Sequence, residues 1–508
     1  MNARGGSVIF KLQHKNGMQN KTKVILNSVR ALASAASLAA VAACTTPQND
    51  AQATGNQSGK TISVSVDCAK QIGEIKPLNG INWGPQISSE SAGIVARKQF
   101  YDLNVHSVRT HDVPLQNAGL AICDTDMIFP LKHADASDPK NYVFKPTDDY
   151  LKIASKHGAK IVFRLGISID HSIGKYRTEM PDAKKFAEVC CRIIAHYNKG
   201  WANGHKMGIE YWEIWNEPEC QNPDGSHTMW NGNLEQFTKF FIEVAKAIKA
   251  EHPEVKVGGP AFTYPHKDAL KFINDIAKEK TPLDFFTWHC YSKSVEELVE
   301  LSRKTRAWLD AAGYKNAENH INEWHYFPLS WKQLRADDSD KDALYAKING
   351  LEAGVFAAAT MTAWQDEPID VSNYYYFGDS GGSNWGLLKD GTAIFDSYYP
   401  FKAFGEIVKY KTRLAVSVSA SGGLPKYAAS ALAGKNANGE TAVLVSLFKT
   451  GENTLVVDFK NAKIDAKNAR VLICDTTKKL APADRVEISG NKITVPVKSD
   501  SAAVLIKL

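Results

Sequence analysis

Hydrophobic residues in the middle of the chain fall into short apolar runs that are separated by longer stretches with helical spacing. Each run is four to seven residues long, and runs of that length between polar or glycine-containing segments predict buried β-strands. We predict eight such strands, which are Leu78–Trp83, Ser107–Thr110, Ala159–Leu165, Ile209–Trp215, Val255–Gly259, Phe285–Cys290, His320–Trp324 and Thr360–Trp364.

The stretches between these runs are amphipathic, and several begin with helix-start signals such as Pro181-Asp182. The predicted helices are Asp148–Lys156, Pro181–Tyr197, Leu234–Glu251, Lys267–Lys278, Val295–Ala312 and Asp342–Ala359. Alternating strands and helices predict a parallel α/β sheet, and eight repeats predict a closed (β/α)8 TIM barrel over residues 76–405. A doubly wound open sheet is the alternative, but Gly80–Gly84 lacks the glycine spacing of a phosphate-binding turn.

From about residue 411 the helical spacing ends, and short alternating runs punctuated by glycines take its place. These runs are Leu414–Ser419, Thr441–Phe448, Thr454–Phe459, Ala469–Cys474, Val486–Ile488, Ile493–Val497 and Ala502–Leu508. This pattern predicts a C-terminal antiparallel β-sandwich domain over residues 406–508. Thr61–Cys68 also alternates apolar and polar residues, and we expect residues 61–75 to add a strand to the sandwich.

The first 43 residues have the order of features found in an export signal. Basic residues precede a weakly apolar run, Ala31–Ala43, which ends in small residues directly before Cys44. This order is typical of a signal peptide, and its small-small-Cys ending resembles the bacterial lipobox, in which the cysteine receives a lipid. We expect residues 1–43 to be removed, Cys44 to be lipidated and the polar residues 44–60 to form a flexible tether. The predicted location is the bacterial cell envelope, with a membrane contact through the lipid alone. A cleaved signal of a soluble exported protein and a disordered tail are the alternatives.

Charge and cysteine content exclude several classes of function. The net charge is +6, but residues 1–43 contain six basic residues and no acidic one, so the remainder of the chain is neutral. A neutral chain argues against a nucleic-acid partner, and no pattern specifies an oligomeric state. The seven cysteines beyond Cys44 show no CxxC pair and no zinc-type spacing with histidine, so we predict no metal site. Because seven is odd, at least one of them is unpaired within the chain.

Two glutamates stand where a parallel barrel places its functional side chains, at the C-terminal ends of strands. Glu217 follows the fourth predicted strand, and Glu323 ends the seventh. These strands face each other across the barrel mouth, so both carboxylates can reach one cleft. A carboxylate pair suits cleavage of a glycosidic bond, in which one group attacks the anomeric carbon and the other transfers a proton. Since carboxylates fill both roles, we predict no cofactor.

The sequence around both glutamates resembles the clan A retaining glycosidases, and within that clan it is most similar to glycoside hydrolase family 39. The strongest match is Glu213–Pro218, which contains Trp-Asn-Glu-Pro, and the other matches are Asn79–Pro85, Val108–His111, Thr287–Tyr291 and Gly386–Thr392. The resemblance implies a (β/α)8 barrel with a C-terminal sandwich and retaining hydrolysis of an oligosaccharide or glycoside, in the manner of a β-xylosidase. An α-L-arabinosidase or uronidase, a noncatalytic carbohydrate-binding lipoprotein and an interaction protein are the alternatives.

The resemblance also implies a role for individual residues. Glu217 is expected to be the acid/base and Glu323 the nucleophile. Asn216 is expected to hold the sugar 2-hydroxyl, and Tyr291 to donate a hydrogen bond to the nucleophile. The remaining expected substrate contacts are His289, Arg109, His111 and Trp83.

Other residues near the predicted strand ends are alternatives for these roles. Trp364 is the predicted sugar platform, because aromatic faces stack on the apolar faces of sugars. Glu367, close behind it, is the alternative catalytic carboxylate. Asp124 and Asp126 lie in a long loop and are candidate sugar contacts or solvated side chains. Long loops over residues 116–150 and 326–340 favour a pocket and therefore exo action.

Overall fold

The computed structural model describes residues 60–85, 91–113, 122–168, 181–221, 229–336, 340–378, 385–389 and 393–508. The export signal, the tether up to residue 59 and the predicted lipidation site Cys44 lie outside the described residues. No helix among the described residues is both long enough and apolar enough to cross a membrane.

The chain enters the described fold through a long strand, β1 (Lys60–Glu74), and then forms a closed barrel of eight parallel strands. The barrel strands are β2 (Gly80–Asn82), β3 (Ser107–Arg109), β4 (Lys160–Leu165), β5 (Tyr211–Ile214), β6 (Lys256–Phe262), β7 (Phe285–Ser292), β8 (Glu318–Tyr326) and β9 (Val371–Tyr374). Each strand pairs with the next in parallel, and β9 pairs with β2 to close the ring. The predicted (β/α)8 barrel is confirmed.

Helices surround the barrel, and they begin at the capping residues that the sequence provides. The helices are α1 (Ser91–Asp102), α2 (Thr125–Ile128), α3 (Lys145–Ala154), α4 (Ala183–Asn198), α5 (Leu234–Glu251), α6 (Lys267–Lys278), α7 (Val295–Ala311), α8 (Trp331–Arg335), α9 (Lys341–Asn349), α10 (Leu351–Ala363) and α11 (Tyr398–Val408). The Asp182 side chain accepts a hydrogen bond from the Lys185 amide at the start of α4, and Asn233 and Gln236 form a capping box at the start of α5.

The predicted eighth strand, Thr360–Trp364, is wrong. These residues form the end of α10 and a short 3-10 turn, and the eighth barrel strand is β9, seven residues further along the chain. Ala353–Thr362 of α10 is buried throughout, because this helix packs between β8 of the barrel and β13 (Ala429–Lys435) and β14 (Thr441–Leu447) of the C-terminal domain. A helix that is covered on all sides has no polar face, so its apolar run resembles a buried strand.

The C-terminal domain is a curled, largely antiparallel sheet of ten strands whose inner faces enclose a core of their own. Besides β1, β13 and β14, its strands are β12 (Thr412–Ala420), β15 (Asn453–Lys460), β16 (Arg470–Cys474), β17 (Lys479–Pro482), β18 (Glu487–Ser489), β19 (Lys492–Val497) and β20 (Ala502–Lys507), and a separate two-stranded ribbon comprises β10 (Leu388–Lys389) and β11 (Ala393–Ile394). The predicted C-terminal β-sandwich is confirmed as the fold class of this domain.

The structure places β1 inside that sheet, antiparallel to β12 and parallel to β15. Its alternation of residues accounts for this position, because Ile62, Val64 and Val66 are buried in the core of the sheet. The seven cysteines between residues 68 and 474 are buried and form no disulfide among the described residues.

Candidate active site

Glu217 and Glu323 meet at the carboxyl ends of opposite barrel strands. Glu217 lies three residues beyond β5, and Glu323 lies near the end of β8; both side chains are buried. Their closest carboxylate oxygens lie within 4.8 Å of each other. This separation compares with about 5–5.5 Å between the carboxyl groups of retaining glycosidases and about 6.5–9.5 Å in inverting ones. The pair therefore has the spacing at which one carboxylate can attack while the other transfers a proton.

The backbone turns sharply where it presents the first of these carboxylates. Glu217 adopts a φ of 43°, in the left-handed region, and Trp215 two residues earlier adopts 73°. A non-glycine side chain in this region is strained, and such strain persists where the surroundings fix it. Here the neighbouring strand fixes the turn, because the Glu217 amide donates a hydrogen bond to the carbonyl of Ala261 in β6.

Arg109, at the end of β3, links both sides of the barrel mouth. Its Nε donates to Glu213 at 2.7 Å, and its Nη2 donates to the side-chain oxygen of Asn216 at 2.6 Å. Its Nη1 donates to Asn82 at 3.2 Å and to Glu323 at 3.3 Å. The guanidinium is fully buried, so its charge acts at low dielectric on the carboxylates around it. Arg109 thus positions Asn216 and favours the ionised form of Glu323.

Glu217 forms a hydrogen bond with a neutral histidine side chain, that of His289. His289 Nδ1 lies 2.8 Å from Glu217 Oε1. Burial and the charge of Arg109 lower the pKa of His289 well below its usual value, so its imidazole is neutral at pH 7. Burial and the charge of Glu323 raise the pKa of Glu217 well above its usual value. Both effects favour the protonated form of Glu217.

The surroundings of Glu323 counteract the rise in pKa that burial causes. Burial raises its pKa, but the Arg109 guanidinium and a hydrogen bond from the Tyr291 hydroxyl, 2.6 Å from Oε1, both lower it. Among the described residues no comparable cationic donor contacts Glu217, so Glu323 is the member of the coupled pair that ionises first. One protonated and one ionised carboxyl group are the forms required of an acid and a nucleophile.

In the described part of the chain, three separate groups of side chains are each close enough to hold a metal ion. One is Glu217, His289 and Glu323 itself, and the other two lie away from the strand ends and are built around Asp148 and around Cys191. In the first group, His289 and Glu217 already satisfy each other by a direct hydrogen bond.

His111 and Trp83 also lie at this end of the barrel. His111 is buried two residues beyond β3, with its Nε2 3.3 Å from Asp112 Oδ2. Trp83 directly follows β2, and its ring packs on Tyr376 with the centroids 4.1 Å apart. Of the predicted site residues that the structure describes, it therefore brings all except Trp364 to the barrel mouth.

Trp364 does not line the cleft, contrary to the prediction. Its side chain is fully buried behind the barrel wall and packs edge-on against Trp324, with the ring centroids 4.9 Å apart. Trp324 in turn contacts Phe356 of α10 on the outer side of β8. The misplaced eighth strand caused this error, because a residue after a helix, rather than after a strand, lies away from the mouth.

Two of the alternative carboxylates, Glu367 and Asp124, are bound by arginine side chains in the described structure. Glu367 accepts two hydrogen bonds from Arg303 of α7. Asp124 is buried and accepts from Arg164 at 2.5 Å and from the Ser168 amide at 2.8 Å. Asp126 lies in the first turn of α2.

Sequence reasoning missed two residues beside the glutamates. Asp112 follows His111, and its negative charge raises the pKa of both Glu217 and Glu323. Burial raises the pKa of Asp112 itself to about 6. Tyr375, directly after β9, lies with its hydroxyl 3.5 Å from Asp112 Oδ2. The strand-end rule that selected Glu217 would also have selected Asp112, whereas Tyr375 was hidden by the error in the eighth strand.

Known proteins resemble this chain most clearly around the two glutamates. Residues 144–335 match the family model described as "Glycosyl hydrolases family 39". A β-xylosidase of Geobacillus stearothermophilus is 23% identical over 180 residues, which cover 30% of this chain and 33% of that protein. A β-xylosidase of Caldicellulosiruptor saccharolyticus is 30% identical over 202 residues, which cover 38% of this chain and 37% of that protein. The matches thus span about a third of the length of these curated relatives.

Solved structures resemble the chain over most of its length. A glucosidase from Croceicoccus marinus superposes with a TM-score of 0.70 at 22% identity, covering 88% of this chain and 99% of that chain. A family 39 β-xylosidase from Caulobacter crescentus gives a TM-score of 0.62 at 15% identity, with 88% and 99% covered. At these identities the likeness establishes the fold, a barrel followed by a sandwich. The resemblance to glycoside hydrolase family 39 that the motifs indicate is thus confirmed over residues 144–335, the segment that contains both glutamates.

Proposed function

We propose that this protein is a retaining glycosidase that cleaves glycosidic bonds by a double displacement between Glu217 and Glu323. The observation that carries the proposal is the approach of the two carboxylates to within 4.8 Å, with surroundings that separate their pKa values. The family match over residues 144–335 supports it, since that segment contains both residues.

In the first step of this mechanism, ionised Glu323 attacks the anomeric carbon while Glu217 protonates the departing glycosidic oxygen. The bond to the leaving group breaks as the covalent glycosyl–enzyme ester forms. In the second step, Glu217 takes a proton from water, the water oxygen attacks the anomeric carbon, and Glu323 leaves as a carboxylate. The enzyme returns to its starting protonation state, and the sugar retains its configuration.

The neighbouring residues have clear tasks in this scheme. Arg109 and Tyr291 hold the two oxygens of Glu323, at 3.3 and 2.6 Å respectively. Arg109 also holds the side-chain oxygen of Asn216, and we assign the Asn216 amide NH2 to a sugar hydroxyl. Groups that are oriented before the substrate arrives need no rearrangement during the reaction, which lowers the barrier.

We propose further that the preferred glycone is a neutral sugar, as in a β-xyloside. Arg109 is engaged with four protein acceptors, and Asp112 adds a negative charge beside the glutamates. The carboxylate of a uronic acid would meet this negative charge, whereas the hydroxyl groups of a neutral sugar would not. The named β-xylosidase relatives support the same preference.

An exo mode of action is part of the same proposal. Asp124 and the Thr125 amide attach α2 to the end of β4, through Ser168 and the carbonyl of Gly166. This attachment holds α2, which belongs to the segment after the second barrel strand, beside the end of β4. A wall at that position suits a pocket that accepts a chain end. Digestion of a linear tetrasaccharide tests this directly, because exo action releases monosaccharide first and endo action releases disaccharide.

A panel of aryl glycosides tests the activity and the two roles together. Full-length wild-type chain, Glu217→Ala and Glu323→Ala are assayed on a β-xyloside, a β-glucoside, α-arabinosides and an iduronide. We expect hydrolysis of a neutral glycoside by wild type alone. Azide should then rescue the two variants to glycosyl azides of opposite anomeric configuration. Full activity of either variant without azide would contradict the proposal, and binding without any turnover by wild type would favour a noncatalytic carbohydrate-binding lipoprotein.

We also propose that the enzyme is exported and anchored in the cell envelope by a lipid on Cys44. The order of basic, apolar and small residues before Cys44 supports this proposal. Metabolic labelling with an alkynyl fatty acid should mark wild type and leave Cys44→Ala unmarked. Equal labelling of the two proteins would contradict lipidation at this residue.

A further inference from the structure

A second cluster of ionisable side chains lies outside the active site. It comprises Asp148 in the first turns of α3, His196 near the end of α4, and His205 in the loop that leads to the start of β5. One ligand atom of each residue lies within 4.8 Å of those of the other two. Since Glu217 follows the other end of β5, this cluster is separate from the catalytic carboxylates.

The loop that carries His205 is folded back onto α4. Gly200, Ala202 and Asn203 have φ values of 80°, 55° and 57°, which turn the backbone through the left-handed region. The His205 amide then donates to the carbonyl of His196 at 2.6 Å. The two imidazole rings are thereby held edge to face, with their centroids 5.5 Å apart. The backbone, rather than chance contact of surface side chains, brings the two histidines together.

The hydrogen bonds of His196 fix the orientation of its ring. Its Nδ1 lies 2.9 Å from the carbonyl of Trp201, and a carbonyl can only accept, so Nδ1 carries a proton. Its Nε2 lies 3.2 Å from Asp148 Oδ1. In a neutral imidazole this Nε2 is an acceptor that faces another acceptor. The contact therefore requires a cation or a second proton between the two atoms.

The contact of His205 with the other oxygen of the Asp148 carboxylate also requires a cation or a proton between the two atoms. Its Nε2 lies 3.3 Å from Asp148 Oδ2, is closed to solvent, and forms no aligned hydrogen bond among the described residues. Two imidazole nitrogens thus converge on one carboxylate at 3.2 and 3.3 Å. In a tetrahedral zinc site with ligand distances of about 2.0–2.1 Å, neighbouring ligand atoms are about 3.3–3.4 Å apart. His196 Nε2 faces Oδ1 and His205 Nε2 faces Oδ2, so each nitrogen lies about one edge of such a tetrahedron from the carboxylate oxygen nearest to it.

We propose that Asp148, His196 and His205 bind one divalent transition-metal ion of the zinc class, with water in the fourth position. Imidazole and carboxylate are ligands that suit this class, and the Trp201 carbonyl supplies the outer hydrogen bond that orients a metal-binding histidine. The ion would tie α3 and α4 to the loop before β5. Its role is to stabilise this side of the barrel, and it takes no part in glycoside cleavage.

Zinc binding to the untagged, full-length chain tests the site. After treatment with a chelator, wild type should bind one Zn²⁺ tightly in calorimetry, and zinc should raise its Tm in a saturable manner. His205→Ala should weaken this binding at least about tenfold, the effect of losing one ligand, with unchanged circular dichroism. His133→Ala, which removes an exposed histidine outside the cluster, should bind zinc as wild type does.

Cobalt gives a readout that does not depend on variants. Co²⁺ bound by two imidazoles and a carboxylate in a tetrahedral site should produce visible d–d absorption that Zn²⁺ abolishes, and Asp148→Asn should reduce it. Absence of this absorption in wild type, or equal zinc affinity of wild type and His205→Ala, would overturn the proposal. In that case two protonated histidines, detectable by NMR as imidazolium ions, would neutralise Asp148 in place of the metal.

Discussion

Removal of a single oxygen atom, by Tyr291→Phe, tests how the protein ionises its nucleophile. The Tyr291 hydroxyl donates to Glu323 Oε1 at 2.6 Å, and this hydrogen bond lowers the pKa of Glu323 against the effect of burial. Phenylalanine keeps the ring, whose edge packs against Trp385 with the centroids 5.6 Å apart. The substitution thus removes the hydrogen bond while it preserves the packing.

The size of the effect follows from the charge of the acceptor. A hydrogen bond to an ionised group contributes about 1.5–3 kcal/mol. Since 1.36 kcal/mol corresponds to one pKa unit, loss of the bond should raise the pKa of Glu323 by about one to two units. The nucleophile must be ionised, so the acidic limb of kcat/KM should move to higher pH by that amount. The basic limb, which reports the loss of the proton from Glu217, should stay in place.

The assay is a pH profile of kcat/KM for the best glycoside, measured for wild type and two variants. Tyr142→Phe is the matched control, because its hydroxyl donates to the carbonyl of Ala136 at 2.8 Å, away from the glutamates. The control should keep the wild-type profile. If Tyr291→Phe lowers kcat/KM equally at every pH, the hydroxyl does not set the ionisation of Glu323, and our account of this residue is refuted.

Three further predictions concern the surroundings of the site. Glu213→Gln should lower the free energy of unfolding by about 3–5 kcal/mol in urea denaturation, because Arg109 loses a buried ionic partner; a loss below about 1 kcal/mol would contradict this. Trp364→Phe should leave KM unchanged in the glycoside assay, since the indole lies behind the barrel wall. A raised KM would instead show that Trp364 contacts the substrate. Leu455→Ala should cost about 2–5 kcal/mol of stability with kcat unchanged at 25 °C, because Leu455 belongs to the separate core of the sandwich; a changed kcat would show coupling between the domains.

The sequence was sufficient for the barrel and the catalytic pair because both leave strong local signals. Seven of the eight predicted barrel strands correspond to strands in the structure, and Glu217 and Glu323 lie at the ends of two of them. The eighth failed because α10 is covered on both sides by the barrel and the sandwich, which removes the polar face that would mark a helix. The hydrophobic pattern of a segment shows that its residues are buried, but it does not show which part of the protein covers them.

The same limitation explains the residues that were missed or misassigned. Tyr375 follows β9, and it could not be found while the eighth strand was placed ahead of it. The strand β13 escaped because its sequence, Ala429–Lys435, is rich in alanine and glycine and lacks β-branched residues. The contacts of Arg109 with Glu213, Asn216 and Glu323 depend on three different strand ends, so they become visible only once the barrel closes.

Trapping of the covalent intermediate tests the central claim most directly. Wild-type enzyme is incubated with an activated 2-deoxy-2-fluoro derivative of the glycoside that it hydrolyses fastest, and the labelled peptide is identified by mass spectrometry. We expect one sugar per chain, attached as an ester to Glu323, and loss of activity in step with labelling. Attachment to Glu217, or turnover with inverted configuration and no labelled peptide, would contradict the assignment of nucleophile and acid made here.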